Sequence, residues 1–557
     1  MLTTQYVFTV SINTTRSFEF ILQHMRKILF TYSLLLSVLY SCRQSGNTEQ
    51  STTAAQADTT AQIAATTISF TNPVLPGDFA DPSVTKVGDT YWATATSSEW
   101  APLFPLLKST NLVDWEIVGH VFPEKLPDWA EAHFWAPEIA QENGRTYIYY
   151  TGKKKGGNLC VGVASADNPA GPYTDHGPLV CQPAGSIDGF PIRDKNGQLY
   201  LIWKEDGNSQ GQPTPIWGQQ MNEERTKLVG EKFELMRNDQ PWEGKLVEGP
   251  ALFKRGDYFY MIYAGDACCG RECTYATGVA RAKKITGPWE KYSRNPILTK
   301  NETWKCPGHG TVITDSSNNY YFLYHAYNTD SFVYPGRQGL LDKFTFNGDG
   351  WPVFESRSPS ARKARIARND MNVEDEFTSD NLLTTWQWPV NSLPQYTIEE
   401  EANGTLQLKA KSGNLGNVLA QRTQSANYEA ITEINKASLK NNIQAGIAVI
   451  GDPANAIGVS TAGKKIMLWQ LIAGKQTMLT QTNLPDSANV QLRLVAKGGD
   501  KFQFSWSADG KNWNQLAQVP VDGSYLPPWD RGVRVGLIAK GSSSNTAQFN
   551  WFRLVNN

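Results

Sequence analysis

Three carboxylates recur in this chain at comparable places, and their spacing is that of groups meeting in one site. Glu248 begins the apolar run in KLVEGPAL, residues 245–252, and Tyr260 follows it by twelve residues inside a strand-like stretch, YFYMIY. Asp188 in DGFPI leads by twelve to Tyr200, Trp135 in WAPEI to Tyr147, and His309 in HGTVI to Tyr321. Asp81 in ADPSV leads to Tyr91 by ten, as a hairpin two residues shorter would. Taken singly, Asp81 before Pro82 reads as a turn, and Glu248 before Gly249-Pro250 as a bend. Recurrence argues against both. Several carboxylates around one cavity repel one another, which pushes at least one pKa upward. A carboxylic acid kept protonated near neutrality beside an ionised carboxylate is what hydrolysis of a glycosidic bond requires.

These residues need a scaffold that brings distant segments to one point. The leading positions 81, 135, 188, 248 and 309 lie 54, 53, 60 and 61 residues apart. A fixed period of this size, with a β-hairpin in each unit, is the signature of a propeller. Five blades of four strands span residues 72–356, and the innermost strand of each begins beside the central axis. Gly-Pro turns close the outer strands at Gly171-Pro172-Tyr173 and Gly287-Pro288-Trp289, with Asp114-Trp115 in the matching place of the first blade. Their aromatics are expected between blades. A lone β-sandwich, the rival all-β architecture, leaves the repeat unexplained. Residues 357–372 form a basic, strand-poor linker. From 373 to 557 short alternating strands predict a β-sandwich: 406–408, 428–434, 445–450, 490–495, 502–506 and the terminal run from Ala547, with a hairpin turn at Asp509-Gly510.

A chain of 557 residues exceeds one core and divides into domains. Its 52 basic and 53 acidic residues nearly cancel, which excludes a basic nucleic-acid surface. Met25-Arg26-Lys27, an apolar run over 28–39 and Leu39-Tyr-Ser-Cys42 read as a lipoprotein-type signal, with Met25 as start and Cys42 lipidated. A plain cleaved signal peptide is the alternative. The Ser/Thr/Ala-rich stretch to residue 71 reads as a flexible tether, so the expected location is periplasmic or on the outer-membrane surface. Export permits disulfides. Cys160 and Cys181 fall in one repeat; Cys268, Cys269 and Cys273 share one loop, with Cys306 a repeat later. Disulfides are favoured over zinc, for which the spacing is wrong, and connectivity stays open.

At these motifs the sequence resembles glycoside hydrolase family 43, five-bladed propeller hydrolases of arabinose- and xylose-containing glycans. The resemblance implies Asp81 as general base, Glu248 as general acid and Asp188 as the residue that orients Glu248 and keeps its pKa high. It also implies Trp135 and Arg337 at the −1 sugar, and His309 at the cavity floor, where relatives can hold calcium through water. No cofactor is required; a structural calcium in the cavity is the metal expectation. A departure is Gly189 where Pro commonly follows the third-blade Asp. The second domain resembles the concanavalin-A-like sandwich of many members, through DEF at 375–377, WQW at 386–388 and the terminal FNWF. In some members a loop of this sandwich reaches over the active site, which makes the Pro-stiffened loop carrying Trp529 a candidate wall, against local packing as the alternative. The implied protein is an exported, lipid-anchored, inverting exo-glycosidase acting on an oligo- or polysaccharide. α-L-Arabinofuranosidase is the first reading, β-xylosidase the second and β-galactofuranosidase a third. A non-catalytic glycan-binding lipoprotein is the rival class, and it has no need of all three carboxylates.

Overall fold

The structure is a computed structural model describing residues 70–360, 372–399, 404–440 and 443–557. Met25, Cys42, most of the tether and most of the linker lie outside the described residues. Among the described residues, five antiparallel four-stranded sheets follow one another along the chain as propeller blades. Their inner strands are Ser83–Val87, Ala130–Glu142, Ser186–Arg193, Val247–Arg255 and Trp304–Thr314. The short first hairpin is real: Ser83–Val87 pairs with Thr90–Thr94 over five residues. Apolar clusters lie between successive blades, because each sheet is hydrophobic on both faces and must be covered twice. Trp115, Tyr173 and Trp289 join three of these clusters. Each also bonds back to its own turn, as in Trp115 Nε1 to Leu112 O at 2.9 Å.

The ring closes through the segment before the first blade. Val74 and Leu75 exchange backbone hydrogen bonds with Gly339 on the third strand of the fifth blade. Asn72 adds side-chain bonds to Leu341 in both directions.

The second unit is a sandwich of a nine-stranded and a six-stranded sheet among the described residues. The strands expected from sequence are present as Thr405–Lys409, Tyr428–Asn435, Gln444–Asp452, Asn489–Lys497, Lys501–Ser507 and Thr546–Asn556. Alternation is cleanest in Asn489–Lys497, whose Val490, Leu492, Leu494 and Ala496 point into the core between the sheets. Sequence analysis missed the meander Asn455–Ala462, Lys465–Ile472 and Lys475–Asn483. Its last strand lies at the sheet edge and is largely exposed, so little apolar pattern marks it.

Propeller and sandwich are stitched together by polar groups taken out of water. Buried Asp78 accepts from Gly532 N at 3.2 Å and from Arg534 Nη2 at 3.0 Å, and its carbonyl accepts from Arg422 Nε at 3.2 Å. Trp100–Ala101 pairs with Trp388–Pro389 as a short two-stranded sheet between the units. Removing one partner of a buried ion pair strands the other charge. Asp78→Ala is therefore expected to cost about 3–5 kcal/mol in chemical denaturation. A loss below about 1 kcal/mol, the range of an exposed pair, would show that this contact does not hold the domains.

Candidate active site

A left-handed residue stands at the axis on four of the inner strands and just before the first: Asp81 (φ 50°), Ala136 (43°), Asp188 (60°), Gly249 (60°) and His309 (43°). Left-handed non-glycine backbone is costly and persists where the surroundings over-determine it. The kink bulges the strand, so residues on either side of it change direction. At Gly249 a Cβ would also lie 2.8 Å from His309 Cγ, so only glycine fits. Gly189, the departure noted above, has a similar cause, since a Cβ there would meet Val161 Cγ1 at 2.5 Å.

This register corrects the equivalence drawn from sequence. Glu248 pairs with Ala264 and Trp135 with Thr151, each just before its bulge, at the level where the third blade has Ile187 opposite Lys204. Asp188 and His309 occupy the bulge itself and Asp81 the left-handed position just before its strand; Ala136 and Gly249 are their true counterparts. Aligning the repeats on Pro82, Pro137 and Pro250 would have revealed the offset. Asp81, Asp188 and His309 thus form the ring, with Glu248 and Trp135 one residue ahead of it.

All five line one cavity of about 490 Å³, together with Arg337 and Trp529. Asp81 Oδ2 accepts from Thr96 Oγ1 at 2.7 Å and Oδ1 from Arg337 Nη1 at 2.9 Å. Burial alone would raise its pKa, but Arg337, then His309, hold it well below the usual carboxylate range. The Asp81 amide donates to His325 Nδ1 at 3.1 Å, which requires the neutral ring. Burial supplies it, pushing His325 down to about 4. Asp188 Oδ2 accepts from Gly249 N at 2.9 Å and lies 4.0 Å from His309 Nδ1. Burial raises its pKa to about 6; His309 lowers it and Glu248 raises it further. Glu248 is bound on both oxygens, by Lys204 Nζ at 2.7 Å and Tyr275 OH at 2.8 Å.

The carboxyls of Glu248 and Asp188 are answered unequally. Here burial raises the Glu248 pKa, but the attraction of Lys204 outweighs it and leaves that pKa below the ordinary value. The proton-holding tendency falls on Asp188 instead. Lys204 is fully buried between Glu248 and Asp206, which lies 2.9 Å from its Nζ. Sequence analysis missed it, although a lone lysine ending the apolar strand Leu199–Glu205 needs a carboxylate partner. Tyr275, Thr96 and His325 were missed too and carry no comparable signal.

The sandwich reaches this cavity. Trp529 meets Trp135 edge to face, with ring centres 6.0 Å apart, and its own ring is largely exposed toward the mouth. Asp530 O accepts from Arg337 Nη2 at 3.2 Å. His133 stacks behind Trp135 and is held by Glu99.

Calcium finds no cage here. Among the described residues no three His, Cys, Asp or Glu side chains converge as metal ligands. Beneath His309 the axial cavity measures about 10 Å³, room for about one water rather than a hydrated ion. Asp81 spends both oxygens on protein donors and Asp188 one. Among the described residues side chains alone form no cage for the ion, and no step is routed through it.

Disulfides join Cys160 to Cys181, Cys268 to Cys269 and Cys273 to Cys306, the last tying the fourth blade to the fifth.

Residues 70–352 match the family model described as glycosyl hydrolases family 43. Residues 374–555 match the beta xylosidase C-terminal concanavalin A-like domain. A xylosidase/arabinosidase of Butyrivibrio fibrisolvens is 28% identical, over 71% of this chain and 80% of that protein. A non-reducing end alpha-L-arabinofuranosidase of Bacteroides ovatus is 23% identical, over 87% of this chain and 94% of that one. Among solved structures, a family 43 protein of Bacillus licheniformis superposes with a TM-score of 0.76 at 25% identity, over 88% of this chain and 100% of that chain.

One further carboxyl lies on the axis. Glu138, two residues past the kink at Ala136, borders the small axial cavity and accepts from Thr311 Oγ1 at 2.8 Å. Burial pushes its pKa from 4.5 to about 8, only partly offset by that bond. An acid with a raised folded pKa keeps a proton that the unfolded chain has released. Stability is then lost as pH rises from about 4.5 through about 8, on the order of 5 kcal/mol in full. Glu138→Gln keeps the acceptor for Thr311 and cannot ionise. Its melting temperature should fall less than the wild type's between pH 5 and 9; parallel curves would show that Glu138 ionises freely.

Proposed function

Because the chain belongs to glycosyl hydrolases family 43 and is thereby a glycoside hydrolase, we propose that it is an inverting exo-enzyme releasing L-arabinofuranose from plant-type glycans. The observation that carries this reading is the meeting of Trp529 and Trp135 beside the carboxylates. A propeller alone leaves its axial cavity open. A wall contributed by the second domain blocks passage of a polymer and leaves room for a chain end. The arabinofuranose reading draws on the Bacteroides ovatus relative, which matches nearly the whole chain. β-Xylosidase is the second reading, favoured by the description of the C-terminal model and by a xylan 1,3-beta-xylosidase of Vibrio at 24% identity. Aryl α-L-arabinofuranoside, β-D-xyloside and β-D-galactofuranoside assayed in parallel decide among the three. The arabinofuranoside is expected to give the highest kcat/KM.

In this mechanism Asp81 is the base. Arg337 and Thr96 keep it ionised and aimed, so that it holds a water against the anomeric carbon. Glu248 is the acid, protonating the glycosidic oxygen on the opposite face. Asp188 and Glu248 interact, Glu248 raising the proton affinity of Asp188. Asp188, the oxygen-rich neighbour without a cation of its own, is the modulator: it keeps a proton in the pair near neutrality. Lys204 sets how readily that proton resides on Glu248. Trp135 and Arg337 receive the −1 sugar, and Trp529 closes the wall. The N-terminal signal pattern and three disulfides support export, with Cys42 as lipid anchor.

Loss of the acid should cost natural glycosides about 10²–10⁴-fold in Glu248→Gln, while substrates with good leaving groups lose far less. Equal losses on both would remove Glu248 from the role. NMR of the first-formed sugar should show the anomer opposite to that of the substrate; a retained anomer rules out Asp81 acting through water. The pH profile tests Lys204. An acid must be protonated, so activity is lost as pH rises through the pKa of the pair. Lys204→Met removes the cation that depresses Glu248, and the alkaline limb of kcat/KM should move to higher pH. A limb that stays, or moves lower, shows that Lys204 does not control this proton.

A further inference from the structure

Cys268 and Cys269 are adjacent in sequence, bonded to each other, and both line the catalytic cavity beside Leu246 and Trp529. The bond contributes next to nothing to chain stability. Disulfides stabilise by closing loops in the unfolded chain, and the gain grows with loop length. The other two span 21 and 33 residues; this one spans a single peptide. Nor does the loop need it for anchorage. Cys273 is tied to Cys306, Gly270 N donates to Tyr327 OH at 3.2 Å, and Arg271 Nη2 donates to Ser524 O at 2.6 Å. The bond does change the surface. It replaces two thiols, weak donors open to oxidation, by a polarizable patch with no hydrogen to donate.

That patch sits beside the proposed acid. The loop ends at Tyr275, whose hydroxyl donates to Glu248 Oε1 at 2.8 Å. Leu246, two residues before Glu248, packs in one cluster with Cys268 and Tyr275. Alternation along an extended segment turns Leu246 and Glu248 the same way, so the sulfurs and the carboxyl share one wall. A general acid stands at the glycosidic oxygen, on the leaving-group side of the bond. The third-blade loop lines the same cavity with Gln210 and Asn208, and Asn208 Oδ1 is a buried acceptor without a partner among the described residues.

We propose that the Cys268–Cys269 disulfide is the apolar platform of the leaving-group subsite. The C–H face of the first sugar retained by the glycan rests on the two sulfurs, and Asn208 and Gln210 meet its hydroxyls. The assignment to the leaving-group side rests on Glu248 being the acid.

The test compares an oligosaccharide with the glycosyl fluoride of the same cleaved sugar, whose leaving group is one atom and leaves the platform empty. Cys268→Ser/Cys269→Ser should lower kcat/KM on the oligosaccharide about tenfold, the scale of one apolar contact in a pocket, and leave the fluoride unchanged. Dithiothreitol, reducing the half-buried bond to two thiols as it becomes the cyclic disulfide, should reproduce that selective loss in the wild type. The double variant should not respond to it. Equal losses on both substrates would make the pair a prop of the loop or of the −1 site. No loss on either would leave the sulfurs untouched by substrate. Either result overturns the proposal. Glu248→Gln run on the same two substrates keeps the premises apart: if it harms the fluoride as much as the oligosaccharide, the acid assignment fails, whatever the serine variant does.

Discussion

Carboxylates gathered out of water repel one another and lose solvation, so the propeller axis is tenable only where cations and donors answer them. Two of the three are answered fully. Asp81 has Arg337 and Thr96; Glu248 has Lys204 and Tyr275. Asp188 has one backbone amide and a histidine 4.0 Å away. The imbalance decides where a proton resides: burial wins at Asp188, whose pKa rises to about 6, while Glu248 is pulled down. Each answering group comes from a different strand or blade. The electrostatics of the site therefore exist only when the ring is closed, which gives the bonds from Asn72, Val74 and Leu75 to the fifth blade a functional weight.

The sandwich takes part in the same balance. Its Asp530 carbonyl binds Arg337, the cation that holds Asp81, and its Trp529 forms a wall with Trp135. The loop carrying both is fixed on either side, by Asp78 with Arg534 and Gly532 and by Arg271 with Ser524. Ring and wall are thus mechanically linked. A shift of the sandwich would loosen Arg337 and open the cavity together, which places the second domain within the chemistry rather than beside it.

Strain and packing meet at the kinks. A left-handed residue on or just before each inner strand turns one side chain toward the axis and the next away, at a cost borne by the sheets on both sides. Glycine stands where even a methyl group would collide, as at Gly249 against His309. The same kink separates Glu248 from Asp81 and Asp188 by one residue of register. Glu248, the proposed acid, is thereby set apart from the ring.

Much of this was legible in the chain alone. A period of 53–61 residues, with a hairpin in each unit, determined the propeller, because every blade must bury the same two faces and so repeats the same pattern. Asp81, Asp188, Glu248, Trp135 and His309 could be read because they sit at marked places in that pattern, and Arg337 through the family resemblance alone. The sandwich strands with clean alternation were visible for the same reason, and the exposed edge strand Lys475–Asn483 was not. Tertiary structure exposed the offset of Glu248, which the tyrosine spacing hides and only Pro82, Pro137 and Pro250 mark in the chain. It alone paired Lys204 with Glu248 and joined Cys268 to Cys269 rather than to Cys273 or Cys306. A pKa depends on the charges that surround a group in space, and residues 44 apart along the chain show no sign of meeting until the blades bring them within 2.7 Å.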